Sequence, residues 1–119
     1  MKSIFKLLTS EQWEEAKITG IIPRCSADEK HDCVHINQFE DLNQVCAKFY
    51  PPERYPVALE FAPDSYPEEV DWLSATEKTP WQDGRLKISH LHADLVLNVY
   101  SFEYQQTPTG VVCRLQGDS

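Results

Sequence analysis

Five apolar side chains, Phe39, Leu42, Val45, Cys46 and Phe49, recur at helical spacing and are followed by Pro51 and Pro52. That pattern predicts an amphipathic helix with one face committed to a core, and the paired prolines predict its end. Asn37 stands in the N-cap position with Glu40 three residues on, the spacing of a capping box. A helix with a single apolar stripe needs a surface to cover. The segments around it read as strands: residues 33–36 (CVHI) before it and residues 55–61 (YPVALEF) after it.

The rest of the chain extends the alternation. Residues 3–8 (SIFKLL) form a β-like run. Thr9 then caps a second helix, with Gln12 completing the box and Gly20 as its stop. Trp13 and Ala16, with the stem of Lys17, supply its inward stripe. Residues 25–32 are polar and turn-like, residues 63–67 form a turn, and residues 68–73 read as a short helix or an irregular segment. Residues 77–84 (EKTPWQDG) read as a loop with turn chemistry at Asp83-Gly84. Residues 85–90 lead into a strand. Residues 95–104 alternate, with Leu95, Leu97 and Val99 on one face, and residues 111–115 suit an edge strand. The expectation is one α+β domain over residues 1–119: a small mixed or antiparallel sheet with two main helices packed on it.

Charge narrows the partners. Eleven Lys+Arg against nineteen Asp+Glu leave −8 at pH 7, which disfavours an extended nucleic-acid footprint. A local basic pocket for one phosphate-bearing ligand remains open to Lys2, Lys6, Arg24, Arg54, Lys78, Arg85 and Lys87. The four cysteines, Cys25, Cys33, Cys46 and Cys113, form no C-x-x-C pair. The first apolar run stops after Leu8, shorter than a signal peptide requires, and no stretch approaches the roughly 20 apolar residues of a membrane span. The expectation is a cytoplasmic protein with reduced thiols and no membrane partner.

Histidines are the candidates for chemistry. His35 lies in the short strand before the amphipathic helix, where a lone histidine is more often structural than functional. His90 and His92 form an H-x-H, which in a strand puts both on one face roughly 6.6 Å apart. Three histidines on adjacent strands would resemble a metal site with an open position. His31, in a polar run, is expected to be solvated. Cys33 and His35 share a strand face and so form a candidate nucleophile–base pair, against the commoner use of such a cysteine as core. Cys46 is expected in the core. No phosphate-cradling glycine motif is present. Trp81, in a loop, is a candidate pocket wall.

Taken in order, these motifs resemble a bacterial family catalogued as domain of unknown function 952. The matching positions are Ile4-Phe5-Lys6, Trp13, Ala16 and Gly20, then Asp32-Cys33-Val34-His35-Ile36-Asn37, Asp71-Trp72-Leu73, and Ile88-Ser89-His90-Leu91-His92-Ala93. The resemblance covers residues 4–102 and leaves 103–119 as a C-terminal extension. It implies a fold similar to ADP-ribosyltransferases and RNA 2′-phosphotransferases, in which a strand histidine contacts the ribose of NAD and a later carboxylate assists attack at the anomeric carbon. His35 matches that histidine. Leu73 stands where the family carries glutamate, so Glu77 is the nearest candidate for the carboxylate. The implied ligand is NAD or a related nucleotide, held by His35, His90, His92 and Trp81. The alternatives are a non-enzymatic module that binds a protein partner and a metal site of His35, His90 and His92.

Overall fold

The computed structural model describes residues 2–50, 52–108 and 110–118, the last stretch by its backbone alone. In chain order the elements are β1 (Ile4–Thr9), α1 (Ser10–Thr19), β2 (Ile21–Ile22), α2 (Ser26–His31), β3 (Val34–Ile36), α3 (Leu42–Phe49), β4 (Pro56–Phe61), β5 (Asp71–Leu73), β6 (Asp83–Leu86), β7 (Leu91–His92), β8 (Asn98–Thr107) and β9 (Gly110–Asp118). Three 3₁₀ turns lie at Phe39–Asp41, Pro52–Arg54 and Ala93–Leu95. The fold is α+β.

Strands β1, β4, β8 and β9 form one antiparallel sheet in that order, β3, β6 and β5 a second, and β2 and β7 a two-stranded ribbon. β1 is buried on both faces from Ile4 to Leu8, apolar but for Lys6. One face packs Ile4 and Leu8 with Ala16 of α1 and Phe61. The other packs Phe5 and Leu7 against Leu42, Val45 and Cys46 of α3.

α1 begins and ends where its sequence signals predict. Gln12 N donates to Thr9 Oγ1 at 3.1 Å and Thr9 N donates to Gln12 Oε1 at 3.0 Å. Gly20 takes φ 81° and donates its N–H to Ala16 O, the left-handed stop that glycine adopts at least cost.

Several expectations are corrected. Asn37 is no N-cap: its backbone exchanges hydrogen bonds with Phe5 at 2.8 and 3.0 Å, a bridge that joins the open edge of β1 to the β3 sheet. α3 starts later, at Leu42, and buries only Leu42, Val45 and Cys46. Phe39 and Phe49 are more than half exposed. Phe39 rests on the ring of Phe5 and Phe49 on the edge of Trp81. Pro51, read as part of the helix stop, lies outside the described residues. Residues 25–32 form helix α2 instead of a turn. Residues 68–73 end in strand β5. Leu97 is exposed and precedes β8, so the alternation begins three residues later than its pattern suggests. Residues 111–115 do lie in an edge strand: β8 runs to Thr107 and β9 pairs along it at the border of the sheet.

Asp83-Gly84 is strand rather than turn. Gly84 pairs with Ile36 on one side and Trp72 on the other. A Cβ there would stand 2.5 Å from Trp72 Cζ3 and 2.9 Å from Ile36 Cγ1, so this glycine serves close approach. Cys25, Cys33 and Cys46 are free thiols, and the Cys113 side chain lies outside the described residues. Among the described residues no helix is long and apolar enough to cross a membrane.

Gly84→Ala should therefore destabilise the protein by about 1–3 kcal/mol through overpacking, read as a lower urea midpoint. Trp72→Leu in the same background should recover part of that loss.

Candidate functional site

A lysine inside an apolar strand demands a buried counter-charge. Lys6 of β1 is 5% exposed and finds Asp28, which is wholly buried. Lys6 Nζ donates to Asp28 Oδ2 at 2.8 Å and to His35 O at 3.1 Å. Asp28 accepts three more hydrogen bonds. Cys25 N reaches Oδ2 at 3.1 Å, while His35 N and His35 Nδ1 reach Oδ1 at 2.9 and 2.7 Å. Burial alone would raise the Asp28 carboxyl, but the His35 hydrogen bond and the Lys6 charge outweigh it and hold the group far below the carboxylate range.

An ionised carboxylate only accepts, so the proton between Asp28 and His35 belongs to His35 Nδ1. In the neutral imidazole Nε2 is then a lone-pair acceptor. Two groups stand near it: His31 Nδ1 at 3.2 Å and Asp83 Oδ2 at 3.8 Å. Arg85 Nε holds Asp83 Oδ2 at 3.3 Å.

His35 lines a cavity of about 530 Å³ together with Lys6, Asn37, Trp81 and Asp83. Trp81 is 6% exposed and forms a wall with Phe49, ring centroids 5.6 Å apart and nearly perpendicular. Tyr50 donates its hydroxyl to Leu7 O, and burial pushes its phenol well up, so it acts as a neutral donor. Among the described residues Asp83 is the one carboxylate in that lining.

The remaining candidates are dispersed. His90 and His92 line a separate, shallower cavity of about 380 Å³ with Tyr66. Their rings stand edge to face at 4.8 Å, and His92 N donates to Tyr66 Oη. The two cavities share no lining residue. Among the described residues no three His, Cys, Asp or Glu side chains are grouped to hold a metal ion. Glu77 is exposed in a tight turn where Thr76 N donates to Thr79 O and is absent from the His35 cavity. Cys33 is 2% exposed, and burial raises its thiol, so no thiolate stands beside His35. His31 is exposed, as expected, yet engages His35. Asp28 was not singled out from the sequence. No sequence signal marks it, because Cys25 is not a helix-capping residue type, although Asp28 Oδ2 does accept from Cys25 N.

The buried pair makes two expectations. Lys6→Met and Asp28→Asn each strand one charge and should each cost about 3–5 kcal/mol. The double variant should be more stable than their sum by about 0.5–3 kcal/mol; additive losses in urea titrations would contradict the pairing. The folded Asp28 carboxyl lies below its ordinary value of 3.8. Its contribution is therefore complete above that pH and is lost as pH falls below it. The double variant should lose that component of acid sensitivity.

No family model matches the chain, and no curated relative matches it. Its fold is similar to that of protein CC0527 from Caulobacter crescentus. The crystal structure of that protein aligns with a TM-score of 0.72 at 20% identity over 93% of each chain. Its solution NMR structure aligns with a TM-score of 0.69 at 21% identity, over 93% of this chain and 91% of that one. At this identity the likeness is one of fold alone.

Proposed function

We propose that the cavity beside β3 binds a ribose-bearing nucleotide of the NAD or ADP-ribose type, with His35 as the group that reads a ribose hydroxyl. The observation that carries this reading is the Asp28–His35 contact, 2.7 Å from Oδ1 to Nδ1. It fixes ring orientation and tautomer together, so that Nε2 presents a lone pair that a ligand hydroxyl takes over from His31 Nδ1. The cavity volume falls within the range of small-molecule sites. The Trp81 wall, edged by Phe49, offers a flat apolar surface for a heterocycle.

Charge supports the same ligand end. Lys6 and Asp28 neutralise each other, and Asp83 is held by Arg85. The neighbourhood of His35 thus suits an uncharged sugar, with phosphates directed away from it. The fold resembles ADP-ribosyltransferases in this reading, and a divergent transferase step would use Asp83 as the carboxylate near the anomeric carbon in place of Glu77. His90 and His92 lie outside this pocket. A cytoplasmic location, where nucleotides are abundant, fits the free thiols of Cys25, Cys33 and Cys46.

Titration of the protein with NAD and with ADP-ribose, followed by amide chemical shifts, tests the reading. Saturable shifts at His35 and Trp81 are expected, with affinity about tenfold or more weaker in His35→Gln. Unchanged spectra at millimolar nucleotide would refute it.

A further inference from the structure

His31 and His35 stand on different elements, α2 and β3, yet their rings meet edge to face with centroids 5.2 Å apart. His31 Nδ1 lies 3.2 Å from His35 Nε2. His31 is exposed, and the His35 side chain is partly so. Two imidazole nitrogens therefore converge near the surface, outside the cavity that His35 also lines.

One proton between the nitrogens makes this contact a hydrogen bond. A metal ion in place of that proton fits the same spacing. Imidazole nitrogens bind zinc at about 2.0–2.1 Å, and bond angles of about 90–109° at the metal then set two of them roughly 2.9–3.4 Å apart. The observed 3.2 Å falls inside that interval. The outer shell is in place as well. A metal-ligating histidine ordinarily donates its other N–H to a carboxylate, which fixes the tautomer, orients the ring and raises its basicity. Asp28 accepts from His35 Nδ1 at 2.7 Å, and the same carboxylate docks the helix that carries His31.

We infer that His31 Nδ1 and His35 Nε2 chelate a divalent transition metal of the zinc, nickel or copper kind, the ions suited to neutral imidazole, with water in the remaining positions. The proton between the two nitrogens passes to His31 Nε2 when the ion takes its place. Asp83 Oδ2, 3.8 Å from His35 Nε2, is too wide of that interval to be a direct ligand, but as a carboxylate it can accept from a metal-bound water. Arg85 is paired with Asp83 and Lys6 with Asp28, so neither presents an unopposed charge to the ion. Metal binding is independent of the nucleotide reading. The ion takes the lone pair that a ligand hydroxyl would use, so the two exclude each other at His35.

Zinc and nickel chlorides, titrated into protein purified without a polyhistidine tag, test the chelate. The His90→Ala/His92→Ala variant serves as background, because those two rings also lie close together and could compete for the ion. Calorimetry in that background should show saturable binding of one ion per chain. Imidazole 15N spectra with zinc should move His35 Nε2 and His31 Nδ1 together. Adding His31→Ala, an exposed substitution, should weaken binding by at least the roughly 10–100-fold that loss of an outer-shell partner costs. Undisturbed His31 and His35 signals at millimolar zinc would overturn the inference. Affinity that is lost with His90 and His92, or that survives intact in His31→Ala, would overturn it equally.

Discussion

The Asp28 carboxylate is the point on which the site depends. It accepts from Lys6 of β1, from the backbone before α2, and from both the backbone and the ring of β3's histidine. One side chain thereby ties α2 and the neighbouring β3 to β1, a segment distant in the chain. Such an ion pair is a poor device for stability alone. Removing two charges from water costs several kcal/mol each, and an apolar pair of similar volume often does as well. What the pair supplies is position. The carboxylate's four hydrogen bonds run once to β1, once to the start of α2 and twice to β3, so an arrangement of β1, α2 and β3 that breaks the junction strands a buried charge.

That arrangement sets the chemistry of His35. A histidine in a strand is commonly satisfied at both nitrogens by its surroundings and then does nothing. Here one nitrogen is held from inside by an anion, and the other is left facing polar groups that lie nearer the surface. The Phe5–Asn37 bridge adds a second constraint, because it pins the end of β3 to β1. Lys6 and His35 are consequently held in register by backbone hydrogen bonds as well as by Asp28. The cavity forms where α3 and the loop carrying Trp81 close over this junction.

What the sequence shows and hides follows from the range of the forces involved. Thr9, Gln12 and Gly20 act locally, and their signals are legible residue by residue. β1 and β4 are legible because burial on both faces makes them mostly apolar, broken only by Lys6 and Glu60. Asn37 carries every local mark of a cap, yet a tertiary hydrogen bond to Phe5 takes its backbone. Asp83-Gly84 looks like a turn because glycine is the usual turn residue, whereas this glycine makes room for Trp72. Phe39 and Phe49 fit the helical period but pack on single aromatic neighbours at the rim, outside the core. His35 was legible as a candidate from its strand and from family resemblance. Its partner Asp28 was not, since a lone carboxylate in a polar stretch is ordinarily solvated.

α2 explains why that partner was hidden. Of its six residues only Asp28 is buried, and the other five are exposed. It has no apolar stripe, and a helix this short is not stable alone in water. Its attachment is electrostatic: Asp28 plugs into Lys6 and His35, and just ahead of the helix Arg24 donates to Ile88 O at 2.7 Å and pairs with Asp32. Hydrophobic periodicity, the main signal in any sequence, is silent for an element held this way. The same fact places His31. It stands beside His35 because the helix that carries it is docked by the carboxylate that orients His35. The two imidazoles are thus set by one anchor, and a change at Asp28 must move both together.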